Sequence, residues 1–323
     1  MQKKQKRALE YIALFAISLA FYLVWYFMDD VILTEDALSY ITMTEDREPG
    51  YCIFLATMRF FFDDGALHAA VIVQCIIAAL AAAAVTIELK RRFSLKHMEA
   101  LLILLIQYGV TLLNRFVAQR RYSYYNSIET EGLCYSLWIF FFLSILGIIY
   151  DHSKKSVAAA LLWSVVLISI RKQMIITLII LLFCIVCVGI KEKYWKRALM
   201  SAAFLGVTAL IMTTLIDCCY NYAVRGAFTS HSGDSSFILG TELYLADKGM
   251  VEYIRSEEHR ALFEEIMRRA DEQEYNIAYA RQGLSKGLRV SFVWNWQMVQ
   301  NHYSLSYDRI KFDIVMAVIR EHQ

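Results

Sequence analysis

Residues 66–89, ALHAAVIVQCIIAALAAAAVTIEL, carry no Asp, Glu, Lys or Arg before Glu88. A hydrocarbon core about 30 Å thick is crossed by roughly 20 helical residues, so this stretch reads as a membrane-spanning helix. Runs of the same character lie around it at about 8–28, 98–114, 132–150, 156–170, 174–190 and 198–216. With 58% hydrophobic residues and a mean hydropathy of +0.41, the chain does not fit a single water-bathed core. The sequence predicts an all-α, polytopic bundle of about seven spans. The 156–170 run is short for a span and needs tilt or support from its neighbours.

The loops between these runs sort by charge. Lys3, Lys4, Lys6 and Arg7 precede the first run, and Lys90, Arg91, Arg92 and Lys96 follow the second. Lys154 and Lys155 follow the fourth, and Lys191, Lys193, Lys196 and Arg197 follow the sixth. The opposite loops hold half as many: Arg47, Arg59, Arg115, Arg120, Arg121, Arg171 and Lys172. Cytoplasmic loops carry the Lys and Arg excess, so the N-terminus is expected in the cytoplasm of a multi-pass cell-membrane protein. The first outer loop, 29–65, and the segment 217–323 then lie outside, leaving 1–216 as the transmembrane core. The first run has a basic leader but no small-residue cleavage site. Its aromatic exit, Phe21, Tyr22, Trp25, Tyr26 and Phe27, suits a retained helix anchored at the interface.

The first outer loop contains Asp29, Asp30, Glu35, Asp36, Glu45 and Asp46, most of which need only keep it in water. Asp36 stands apart. Tyr40 follows four residues later, on the same face of a helix, and then come Arg47 and the turn Pro49-Gly50-Tyr51. The apolar stretch 51–62 is too short to span and is expected as a helix along the interface, holding Asp36 near the bilayer. On the same side Thr130 and Glu131 open the fourth span, after Arg120-Arg121-Tyr122-Ser123-Tyr124-Tyr125-Asn126. Glu131 suits the positive end of a helix. Arg171 and Lys172 form the turn between the fifth and sixth spans, against the topological charge bias. Cations so placed point to an anionic ligand as well as to a solvated turn. Phosphate is the natural candidate, because Arg forks match its oxygens and lipid phosphates lie at that depth.

Other chemistries find little support. Cys75, Cys184 and Cys187 fall inside spans, Cys134 opens one and Cys52 lies in an apolar run, where a thiol acts as a small hydrophobe. The adjacent Cys218 and Cys219 could bond to each other only with strain. Cys184 and Cys187 have redox spacing but no neighbouring cation to activate a thiolate. No His or Cys spacing marks a metal site. Glu35, Glu45 and Asp46 offer oxygen ligands to a divalent metal without their spacing demanding one, so the cofactor question stays open. The net charge of +2 comes without a basic helix or stacking platform for nucleic acid. A transporter is disfavoured by the lack of paired Gly- or Pro-broken spans and of a repeated half.

Taken in order, a first span, Asp36-x-x-x-Tyr40, Arg47-x-Pro49-Gly50-Tyr51-x-x-Phe54-Leu55, Thr130-Glu131 and Arg171 resemble the GT-C superfamily of polytopic glycosyltransferases. The closest similarity is to its protein O-mannosyltransferase and aminoarabinose-transferase branch, over roughly residues 8–190. The resemblance implies a shared core of seven spans and a polyprenyl-phosphate-sugar donor in the bilayer. It also implies transfer to an acceptor on the extracytoplasmic face by single inverting displacement. Asp36 would be the catalytic residue. Tyr40, Arg47, Glu131 and Arg171, with Arg120 or Arg121, would bind substrate. Cys52 and Lys172 stand where family members commonly carry proline. Relatives usually continue through further spans, so the expectation is a truncated product, a fragment, or a minimal version with only the shared core. The alternative is a non-catalytic membrane protein that binds a lipid phosphate or a partner subunit, or an inactive fragment of such an enzyme.

Beyond residue 216, residues 256–282 carry Leu262, Phe263, Ile266, Met267 and Ala270 on one stripe and are expected as an amphipathic helix. A second is expected over 306–320. Trp294 and Trp296 are expected to pack in a core, and 226–240 reads as a loop.

Overall fold

The computed structural model describes residues 2–44, 47–118, 122–230, 245–254, 256–272 and 278. The chain divides into two units, Met1–Ser230 and His231–Gln323. The first is built of α1 (Gln2–Asp29), β1 (Ile32–Leu33), α2 (Ala37–Ile41), α3 (Pro49–Phe62), α4 (Ala66–Arg92) and α5 (His97–Phe116). There follow β2 (Ser127–Ile128), α6 (Thr130–Asp151), α7 (Lys154–Ile170), α8 (Ile175–Lys191) and α9 (Trp195–Arg225).

Among the described residues, six segments are long and apolar enough to cross a membrane. They are Ala8–Asp29, Pro49–Arg92, His97–Phe116, Thr130–Asp151, Lys172–Lys191 and Trp195–Arg225. The remaining expected span corresponds to α7, whose 17 residues fall below that length. At 1.5 Å per residue α7 rises about 25 Å. It nevertheless runs back along α6. The Ser153 amide donates to the Gly147 carbonyl at 3.3 Å near one end of the pair, and Arg171 reaches Thr130 at the other.

Ion pairs mark the two ends of the bundle. Glu10 pairs with Lys90 and Arg92 with Asp151 at the lysine-rich end. Asp29 pairs with Arg115, Asp36 with Arg47, Glu131 with Arg171 and Asp217 with Lys172 at the opposite one. The alternation of loops read from the charges is therefore the alternation of the helices.

Helix α4 lies at the centre, packed against α1, α3, α5 and α6. Lipid is as apolar as a leucine side chain, so helices associate in a membrane through close packing, which small residues allow. Ala70, Ala78, Ala79, Ala81, Ala82 and Ala83 of α4 are all buried. Helix α3 begins where Pro49 takes the first helical position and holds Glu48 extended, with ψ 146°. The expected helix over 51–62 is thus present, folding back against α4 and α7. Its Gly50 has no room for a side chain. A Cβ there would lie 2.7 Å from the Ser169 carbonyl at the end of α7.

Two features were not anticipated from the sequence. Strands β1 and β2 pair in parallel, Ile32 opposite Ser127 and Leu33 opposite Ile128, tying the first loop to the segment before α6. And α9 runs on through residue 216 to Arg225, where Gly226, with φ 72°, ends it in the left-handed conformation. The first unit accordingly ends at Ser230.

In the second unit a 3-10 turn (Lys248–Tyr253) precedes α10 (Glu257–Glu272). Met250, Ile254, Phe263, Ile266 and Met267 are buried there, so the apolar stripe expected on this helix does face inward. The side chains of Leu262 and Ala270, residues Trp294 and Trp296, and the helix expected over 306–320 lie outside the described residues. So does most of the 226–240 loop.

Candidate functional site

The site is assembled at the end of the bundle opposite the lysine-rich one, from the first loop, the head of α6 and the turn between α7 and α8. Asp36 precedes the short α2, and its carbonyl accepts from the Ser39 hydroxyl at 2.6 Å. Arg47 returns from the far side of the loop, donating to the Asp36 carboxylate at 2.5 Å, to Ser39 Oγ at 2.7 Å and to the Tyr40 hydroxyl at 3.3 Å. Its guanidinium also lies 4.6 Å from the centre of the Tyr40 ring. One arginine thus gathers Asp36, Ser39 and Tyr40, which explains their spacing. Arg47 itself is mostly buried, whereas the Asp36 side chain is 62% exposed and open to a second partner.

Tyr40 joins this group to the next. Burial pushes its hydroxyl up to about 12, against the opposing pull of the Arg47 charge and of the neighbouring Thr130 side chain. Thr130 in turn accepts from Arg171 Nη1 at 3.4 Å, and the same nitrogen pairs with Glu131. Burial alone would lower the Arg171 guanidinium, but the hydrogen bond and charge of Glu131 hold it above its ordinary value. Its side chain is 35% exposed. The Tyr40 ring meets Tyr51 edge-on at 5.2 Å, packing α2 on α3.

Beneath these groups lies a polar frame. The Tyr51 hydroxyl donates to Gln74 Oε1 at 2.9 Å, and the Gln74 amide donates to the carbonyls of Tyr125 at 3.3 Å and Ser127 at 3.1 Å. A fully buried amide in an apolar helix is stable only with its partners supplied, and here the backbone just before and at the start of β2 supplies them. Asn126 donates back to the Asp30 carbonyl at 3.0 Å, and Thr34 to the Ile128 carbonyl at 3.1 Å. Glu129, also buried, accepts from the Ser127 hydroxyl at 2.5 Å.

Asp36, Tyr40, Arg47, Glu131 and Arg171 are therefore brought into one connected group. Arg120 and Arg121 lie outside the described residues, as do Glu45 and Asp46. Glu48, Gln74, Glu129, Asp217 and Arg225 belong to the surroundings of the site and were not singled out from the sequence. The lone amide of Gln74 within an apolar run, and the spacing of Asp217, Asn221 and Arg225 by four along α9, were the available signals. All seven cysteines are free thiols. Among the described residues no three His, Cys, Asp or Glu side chains are grouped to hold a metal ion. Chemically, the group offers an accessible carboxylate held by one guanidinium beside a second, half-exposed guanidinium at a helix head. Comparison with known protein families, curated proteins and solved structures returns no match for this chain.

Proposed function

We propose that the chain is a membrane glycosyltransferase of GT-C type, moving a sugar from a polyprenyl-phosphate donor to an acceptor on the extracytoplasmic face. The observation that supports this reading is the link through Tyr40 from the Asp36–Arg47 pair to Thr130, Glu131 and Arg171. A carboxylate and a cation at the membrane end of a helical bundle are the two groups such a transfer needs.

In the proposed reaction Asp36 takes the proton of an acceptor hydroxyl or amine as that group attacks the anomeric carbon. The bond from that carbon to the lipid phosphate breaks in the same displacement. The anomeric centre inverts, and no covalent intermediate forms on the protein. Arg171 offsets the charge developing on the departing phosphate. Arg47 holds Asp36 in place, and Tyr40 keeps Arg47 and Thr130 in register. The orientation consistent with the reaction puts the N-terminus in the cytoplasm and the site outside, as the loop charges also require.

Substituting Asp36→Asn should lower transfer from a polyprenyl-phosphate-linked sugar in proteoliposomes by about a hundred- to ten-thousandfold, the usual contribution of a positioned base. Unchanged turnover in that variant would remove the mechanism. A second reading, a protein that holds a lipid phosphate without reacting it, is favoured by the same group of paired cations. Saturable binding of polyprenyl phosphate by the native chain with no transfer to any acceptor would support it instead.

A further inference from the structure

The Lys172–Asp217 pair lies beside the site but outside the chemistry just proposed. The Asp217 carboxylate belongs to α9 and is only 4% exposed, and Lys172 Nζ donates to it at 2.6 Å. Lys172 is held a second time through its backbone, whose amide donates to the Glu48 carboxylate at 3.2 Å. Arg171, immediately before it, is fixed by its own amide donating to the Leu167 carbonyl at 2.9 Å. The two-residue turn is therefore pinned from α7, from the start of α3 and from α9.

Helix α9 reaches the first loop as well. Asp217, Asn221 and Arg225 recur every four residues and so share one face of the helix. Arg225 donates to the Met43 carbonyl at 2.7 Å, in the loop that carries Asp36 and Arg47, and is itself braced by Asn221. The outer end of α9 thus touches both halves of the site, at Lys172 and at Met43.

We propose that Asp217 is a positioning residue for the transfer reaction: by anchoring Lys172 it sets the direction in which Arg171 leaves the turn toward Thr130 and Glu131. The assignment rests on the glycosyltransferase reading above. A buried carboxylate has a strong requirement for its cation, so Lys172 stays committed to Asp217 and Arg171 remains the group free to exchange Glu131 for a lipid phosphate. Asp217 touches no reacting atom in this scheme. It acts only through the turn.

The test compares Asp217→Asn, Asp217→Glu and the doubly uncharged Asp217→Asn/Lys172→Met variant with the native chain, in proteoliposomes with a polyprenyl-phosphate-linked sugar. The double variant leaves no unpaired charge and guards against a simple failure to fold. With Cys184, Cys187 and the exposed Cys219 replaced by serine in every variant, buried Cys52 and Cys218 report docking of α9 through their labelling by a membrane-permeant maleimide. The expected result is a drop in kcat of about tenfold or more in Asp217→Asn and in the double variant, with the donor KM changed less than threefold, because misaligned groups lose rate steeply. Asp217→Glu should recover most of the rate, and both thiols should stay shielded throughout. Native kcat in Asp217→Asn or in the double variant would overturn the proposal, as would failure of Asp217→Glu to recover rate, a change confined to KM, or thiols that become reactive along with the loss. Absence of transfer by the native chain would instead remove the functional reading on which the assignment stands.

Discussion

Arg47 does for this site what no carboxylate in the loop does alone: it collects a side chain from each turn of the chain around α2. Its bonds to Asp36 and Ser39 and its place against the Tyr40 ring use both the charge and the planar fork of a guanidinium. Lysine supplies the charge without the fork. Arg47→Lys should therefore fold as the native chain does and still lose at least about tenfold in transfer, measured in the same proteoliposome assay. Tyr40 yields a prediction about pH. Burial raises its hydroxyl from the ordinary 10 to about 12, so the protonated form is favoured in the folded state. Its contribution to stability is complete below about pH 10 and is lost as pH rises from there through 12. Between pH 6 and 9 it does not titrate, and Tyr40→Phe should leave the shape of the rate profile unchanged in that range, whatever it does to the height. The residues of this group were legible because their spacing is local: Asp36 and Tyr40 fall one helical turn apart and Arg47 follows within the same loop. Glu48 and Asp217 were not, since what gives each its role is a partner more than forty residues distant.

At the scale of the elements, α3 is a wedge between the site and the bundle. Proline sets its start, Tyr51 sends a hydroxyl into α4, and Gly50 lets its first turn sit against the end of α7. A methyl group at residue 50 would have to displace the Ser169 backbone as well as the Ile170 side chain. Gly50→Ala should cost about 1–3 kcal/mol of stability, seen as a lower midpoint of thermal aggregation or of detergent-induced unfolding. It should also disturb Arg171, the residue after the contacted Ser169 and Ile170. Gln74→Leu tests the frame beneath. It strands the Tyr51 hydroxyl and the Ser127 carbonyl and leaves the Tyr125 carbonyl only the weak Cys75 thiol donor, each unpaired buried group costing about 1–3 kcal/mol. The long helices were readable from hydropathy because every one exceeds the length over which composition averages out local noise. The two-residue strands left no such trace. Their pairing is set by the frame around Gln74 and Asn126 and not by any periodicity of their own. The end of α9 was misplaced for a related reason: a charge appears at Asp217, and only the structure reveals that Lys172 neutralises it.

The first unit is a bundle whose alternate ends were written in its charges and whose centre was written in its alanines. The number of complete crossings was harder to read, because α7 falls short of the length that marks the others. That shortness matters for how a charged ligand is met. Set upright with its first turn at one boundary of a 30 Å hydrocarbon layer, a helix of about 25 Å would end roughly 5 Å short of the other. Arg171 follows directly, two-thirds covered and paired with Thr130 and Glu131 at the head of α6. Mobile ions of the bathing solution screen charges on an open surface within about 10 Å at 0.1 M salt, but reach a recessed group far less. Capture of a lipid phosphate by Arg171 should therefore depend less on ionic strength than binding at an open surface does, and free phosphate should compete only at concentrations far above those of the lipid.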